Sequence, residues 1–288
     1  MFIYAIQIIC FLLFGVLAYV AWRRHELWIY LLATIYAALF ENIDILVVRG
    51  QIGSYFYDER LILHIIETPL FIILSWGIIF YSSYVLARGL TKNFWAQALS
   101  VPLLATIIDF TMDPIATKMG IWSWVGYNEG DGILGVPLAN FMGWYLVIFA
   151  FMITVRAITH IEFLGRFGKY ILIPPAAFAV FFALFSVFSS FATTTGISIS
   201  NQFIYLQLFF TVFALVCVTS WLKLPGKLKI RRSHYWTLLI SRLLFYAFSI
   251  YGMVIYGFWQ NIIFLELIIF ALVIELVANI KFKLNAKT

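Results

Sequence analysis

Runs of about twenty apolar residues recur along almost the whole of this chain, and they leave little room for any other kind of structure. They lie near residues 2–22, 27–48, 65–87, 95–113, 136–156, 171–191, 203–222, 236–256 and 260–280. Each is long enough to cross a hydrocarbon core as a helix, the form in which one segment satisfies its own backbone hydrogen bonds. The last two runs would be one span only if 45 residues formed a single helix, which overshoots any membrane, so a turn is expected at Gly257 to Trp259. The fold class is therefore all-α: a polytopic transmembrane helix bundle of nine spans, eight if that turn were absent, in one integral membrane domain over 1–288. A soluble fold is excluded because 64% of the residues are hydrophobic and only 11% charged, more apolar surface than one core can hide.

Prolines and charges refine this plan. Pro69, Pro137, Pro174 and Pro175 are expected in first helical turns, Pro114 and Pro225 just past helix ends, and only Pro102 inside a span, where it should kink the helix. The first span has no basic residue ahead of it and no small-residue cleavage site behind it, so it is expected to be a retained anchor. The odd-numbered loops and the C-terminal tail hold 15 of the 19 Lys and Arg, whereas the N-terminus and the even-numbered loops hold 3; Arg242 lies within span eight. That asymmetry orients the N-terminus outside and the C-terminus in the cytoplasm. The basic stretch Lys223, Lys227, Lys229, Arg231 and Arg232 then sits on anionic lipid, and the net charge of +6 needs no nucleic acid partner.

Nine of the thirteen acids lie between residues 41 and 131, and this topology puts them on one side. Glu41 and Asp44 end span two, Glu67 opens span three, Asp109 and Asp113 end span four, and Asp58, Glu59, Glu129 and Asp131 occupy the loops. Glu41 and Asp44 are three residues apart and Asp109 and Asp113 four, so each pair leaves one helix face and the four can aim into one cavity. Like charges in a low-dielectric site do not all ionise, so one carboxyl is expected to hold a proton and act as a general acid beside a neighbouring base. Asp109, a turn deeper than Asp113, is the expected acid. The loop acids are expected to cap helix ends or to pair with Arg49, Arg60 or Lys118. Nearby aromatics, Tyr55, Phe56, Tyr57, Trp122, Trp124, Tyr127, Phe141, Trp144 and Tyr145, suit an interfacial belt and as a group can stabilise a carbocation. Asn140, after Gly135 and Pro137, can orient a water or a carboxyl, or cap its helix.

Other chemistries are poorly served. His25, His64, His160 and His234 are scattered without metal-ligand spacing, and Cys10 and Cys217 sit inside apolar runs as small hydrophobes. There is no Cys-x-x-Cys, phosphate loop or Gly-x-Ser-x-Gly element, so no metal and no cofactor is expected.

The segment DFTMDPIATKMGIWSWVGYNEGDGILGVPLANFMGWYL, Asp109 to Leu146, resembles the signature of the membrane carotenoid biosynthesis proteins that include the carotenoid tail hydratases, the bisanhydrobacterioruberin hydratases among them. Asp109, Asp113, Pro114, Gly120, Trp122, Trp124, Gly135, Pro137, Asn140, Gly143 and Trp144 carry the likeness. Glu41, Gly53, Tyr55, Tyr57 and the run from Pro69 to Trp76 resemble an upstream block, so the resemblance spans roughly 41–156. Two departures stand out: a Thr-Gly-x-Pro-Phe-Gly stretch is reduced to VVRGQIGSYFY, and Asp44 replaces an expected glycine.

The resemblance implies an integral protein of a prokaryotic cell membrane, acting on a carotenoid or other long isoprenoid and open to contact with other carotenoid enzymes. It implies hydration of the terminal double bond of a linear end group to a tertiary alcohol. Asp109, Asp113 and Glu41 would then be catalytic, with Tyr55, Tyr57, Glu67, Trp122, Trp124, Asn140 and Trp144 around the substrate. A lycopene-type cyclase using the same protonation, an intramembrane prenyltransferase and a proton-coupled carrier are the alternatives. The last needs acids spread through the membrane depth.

The charge asymmetry makes a direct prediction. A reporter fused after Thr288 should be cytoplasmic, and a tag beside Asn128 should be labelled from outside intact cells. Both on the same side would break the nine-span topology.

Overall fold

The computed structural model describes residues 2–226, 228 and 230–287. Lys227 and Lys229 of the basic stretch, and Thr288, lie outside the described residues. Among the described residues nine long helices run in chain order: α1 (Phe2–Arg23), α2 (Leu27–Val48), α3 (Leu70–Leu90), α4 (Phe94–Lys118), α5 (Leu138–Thr159), α6 (Arg166–Thr194), α7 (Gln202–Lys223), α8 (Arg232–Ile255) and α9 (Ile262–Lys287). All nine are long and apolar enough to cross a membrane. Four short strands occupy the loops: β1 (Tyr55–Tyr57), β2 (His64–Ile65), β3 (Thr68–Pro69) and β4 (Trp122–Trp124).

Helices apolar all round either fill a core or face lipid, and both kinds are present. The membrane segments of α3 and α4 are 83% and 89% buried and form the centre, whereas α1, α6 and α7 are 22% buried. The outward side chains are apolar, Leu12, Phe182, Val187 and Leu215 among them. Gly257 takes a left-handed φ of 73° between α8 and α9, so the expected turn is present and the two are separate spans.

Two proline expectations are corrected. Pro114 lies inside α4, which continues to Lys118, and Pro174 and Pro175 lie inside α6, which starts at Arg166. An interior proline costs a backbone hydrogen bond, but Ile115 and Ala116 behind Pro114 are completely buried, and Met119 N–H still closes on the Ile115 carbonyl at 2.9 Å. Packing there outweighs the local preference. Asp109 and Asp113 consequently lie deeper than a helix ending near residue 113 would place them. Helix α3, in turn, starts at Leu70 rather than 65, because β2 pairs with β3 and Pro69 supplies the N-cap backbone.

Arg242, the one basic residue expected inside a span, meets Glu275. Its Nε donates to Oε1 at 2.8 Å and its Nη2 to Oε2 at 2.5 Å, a bidentate pair between α8 and α9. Arg242 also donates to Ser83 Oγ on α3 and to the Leu104 carbonyl on α4, both at 2.7 Å, so one guanidinium joins four helices. Removing one partner of such a buried pair typically costs about 3–5 kcal/mol, because the other charge is stranded. Glu275→Ala is therefore expected to lower the thermal unfolding midpoint strongly, and the Arg242 and Glu275 charge swap to recover part of the loss. Additive effects in that double-mutant cycle would show the pair to be uncoupled.

Candidate active site

The site forms where α2 and α4 approach their C-terminal ends. Glu41 lies seven residues before the end of α2, and Asp113 and Asp109 lie five and nine before the end of α4. At 1.5 Å per residue these depths are about 7 to 14 Å from the helix ends. The loops after α2 and α4 fold over them as a small antiparallel ribbon: β1 pairs with β4, with Tyr55 opposite Trp124 and Tyr57 opposite Trp122. Alternation along each strand sends these four aromatic side chains to one face, while Phe56 between them is exposed. The second and fourth loops thus share a side, as the charge pattern requires.

Glu41 is held by three donors. Tyr55 and Tyr57 hydroxyls donate to Oε2 at 2.5 and 2.7 Å, and the Trp76 indole N–H donates to Oε1 at 2.6 Å. Burial, and then the negative charge of Glu41, pushes both phenols well above their ordinary pKa, so both remain O–H donors at neutral pH. Across the site Asn140, on the first turn of α5, donates through Nδ2 to Asp109 Oδ2 at 3.0 Å and to Asp113 Oδ2 at 2.6 Å. One amide thereby bridges the two carboxyls that the spacing placed on one helix face. Among the described residues no Lys, Arg or His forms an ion pair with Glu41, Asp44, Asp109 or Asp113.

A cavity of about 640 Å³ opens between these groups. Glu41, Asp44, Asp113 and Asn140 line it together with Tyr55, Tyr57, Trp122, Trp124 and Trp144. Trp144 stacks on Trp76 with ring centroids 3.6 Å apart. The polar edge, Gln51 and Ser54, lies under the ribbon, and the apolar walls come from α1, α6 and α8. Ile9 on α1 and Leu244 and Tyr251 on α8 line the cavity and are also exposed on the bundle's outer surface, so it opens sideways. Among the described residues no lysine, arginine or histidine lines it. Among the described residues no three His, Cys, Asp or Glu side chains are grouped to hold a metal ion.

Two expected site residues fall elsewhere. Asp109 is completely buried and absent from the cavity wall, with Oδ1 lacking any hydrogen-bond partner. Asp113, one turn nearer the end of α4, is the acid that reaches the cavity. Glu67 sits in the turn before α3, ion-paired with Arg49 at 2.6 Å, away from the cavity. The loop acids behave as caps and partners: Asp58 pairs with Arg60, Glu129 with Lys118, and Asp131 accepts the Asn128 backbone N–H at 2.9 Å. Phe141 packs on Phe110 and Tyr145 on Phe213, outside the cavity. Sequence reasoning missed Trp76 as a donor and the face of Phe245, Phe248 and Tyr251 on α8, since in an apolar span a pocket face and a lipid face have the same composition.

The known family that matches is that of the carotenoid biosynthesis proteins, over residues 2–213. The chain belongs to that family. The match extends the resemblance of residues 41–156 upstream through α1 and downstream into α7, so every acid and every ribbon residue of the site falls inside it. No curated protein and no solved structure matches the chain. Membership of a carotenoid biosynthesis family implies a carotenoid or isoprenoid substrate, in keeping with a cavity walled by aromatic and aliphatic side chains.

The ribbon can be tested covalently. Phe56 and Ser123 are direct partners, and antiparallel partners have Cα atoms about 4.5–5.5 Å apart, inside the range a disulfide accepts. The Phe56→Cys, Ser123→Cys double variant is expected to lose both thiols to maleimide labelling after mild oxidation. Four free thiols, the two introduced and the native Cys10 and Cys217, would mean that the loops do not pair.

Proposed function

We propose that this carotenoid biosynthesis protein adds water across the terminal double bond of a linear isoprenoid end group, giving a tertiary alcohol. The observation that carries the reading is the Asp113 carboxyl on the wall of an aromatic cavity, tied through Asn140 to a second carboxyl with no cation beside either. Two such carboxyls in one low-dielectric site share a proton rather than both ionising. Asp113 delivers that proton to the less substituted alkene carbon, and Asp109 acts through Asn140 to position it. The tertiary cation that forms lies among the faces of Trp122, Trp124, Trp144 and Tyr57, with the Glu41 carboxylate providing negative charge across the cavity. Water enters at the polar edge beside Gln51 and Ser54, which favours hydration over cyclisation of the same cation. A prenyl transfer would need cations to hold a diphosphate, and none of the described residues lining the cavity is Lys, Arg or His. A proton carrier would need acids through the membrane depth, but the other buried acid, Glu275, is locked by Arg242 among the described residues.

A carboxyl is a weak acid for an alkene, so most of the rate comes from positioning and cation stabilisation. Even so, removing the proton donor should be severe. In a lycopene-producing host, expression should yield pigment heavier by one or two waters. Asp113→Asn at normal protein level should reduce that conversion by about a hundredfold or more, the scale of a lost general acid. Asp109→Asn should cost less, and Glu129→Gln almost nothing. Substantial conversion by Asp113→Asn would remove it from the mechanism.

A further inference from the structure

Addition of water needs a second carboxylate, one that takes a proton from the attacking water, and the site leaves few groups able to do so. Glu41 already accepts three hydrogen bonds, two of them on Oε2. Asp109 is sealed behind the cavity wall. Asp113, left as a carboxylate once its proton has gone to the alkene, can take a proton only from water arriving on the face it has just protonated. Asp44 remains. It lines the cavity one helical turn beyond Glu41 and accepts no hydrogen bond and no ion pair among the described residues, so its lone pairs are available.

A second feature marks the same place. Trp124 lines the cavity and is 8% exposed, yet its indole N–H has no hydrogen-bond partner. A buried donor left unpaired is costly, and this one belongs to the ring that lies tilted against Tyr55, with centroids 4.9 Å apart. Tyr55 is also the phenol that feels the charge of Asp44. Trp124, Tyr55 and Asp44 thus neighbour one another on the cavity wall. Asp113 lies on a different helix, so acid and base approach the substrate from separate walls.

We propose that Asp44 is the general base of the hydration, receiving the proton of the water that captures the cation. This rests on the reading of the site as a hydratase. The balance closes as follows. The alkene π pair takes the Asp113 proton and forms the new C–H bond, leaving a tertiary cation and the Asp113 carboxylate. A water lone pair forms the C–O bond while one O–H bond of that water breaks toward Asp44. The proton on Asp44 leaves to water at the polar edge, Asp113 regains one, and the net change is addition of one water. Asp44 stands where the resembling family is expected to carry glycine, so the base would be a feature of this chain.

Deuterium separates the two steps. Membranes containing the full chain are incubated in D2O with a linear carotenoid, and product and recovered substrate are analysed by mass spectrometry for carbon-bound deuterium. The unmodified protein should give alcohol carrying one carbon-bound deuterium. Asp44→Asn should form the cation but capture it poorly. Hydration should fall by about a hundredfold while recovered alkene gains deuterium, because the cation reverts by losing a proton. Asp113→Asn should give neither alcohol nor deuterated alkene, and Asp44→Glu should regain part of the hydration. Hydration by Asp44→Asn at the unmodified rate would overturn the assignment. So would loss of both hydration and deuterium uptake in that variant at normal protein level, which would make Asp44 part of the protonation step or of the fold. Absence of alcohol and of deuterium with the unmodified protein would instead bring down the hydratase reading itself.

Discussion

Within a bundle wrapped in hydrocarbon, a carboxyl group has no bulk water to bond with, and each buried acid here must be supported by the protein. The solutions differ. Glu275 is matched by a guanidinium, giving a neutral pair that ties α8 and α9 to the two central helices. Glu41 has no cation and is supported by three neutral donors from the ribbon and α3. Asp109 and Asp113 share the Asn140 amide, and the Trp122 indole also supports Asp113. The first arrangement suits stability, whereas the other two leave carboxyls at the cavity with neutral donors and no paired cation among the described residues.

The ribbon and the helices depend on one another through these bonds. Tyr55 and Tyr57 reach Glu41 because β4 holds β1 flat across the ends of α2 and α4. Without the pairing, two aromatic loops would lie at the interface with their phenols in water, and Glu41 would lose two of its three donors. The ribbon is thus both roof and ligand, and its outward residue Phe56 takes no part in the site.

Much of this was legible beforehand. Apolar runs located the nine helices, and alternating charge put the loop after α2 and the loop after α4 on one side. These features follow from one-dimensional spacing. What stayed hidden depends on contacts between segments. Pro114 read as a helix end because local preference says so, yet buried Ile115 and Ala116 carry the helix on to Lys118. Which of Asp109 and Asp113 faces the cavity is likewise hidden, since the two lie one turn apart on the same face and spacing cannot resolve them. Trp76 was hidden for a related reason, since nothing in an apolar helix marks the indole that finds a carboxylate on its neighbour.

The sideways opening between α1 and α8 sets the units in which this protein meets its substrate. An isoprenoid that enters past Ile9 and Leu244 comes from the hydrocarbon layer and never from water. The quantity that governs occupancy is then the number of substrate molecules per lipid in the same leaflet region. A cell could speed or slow such a protein by thickening or thinning its pool of membrane, with the amount of substrate and of protein unchanged.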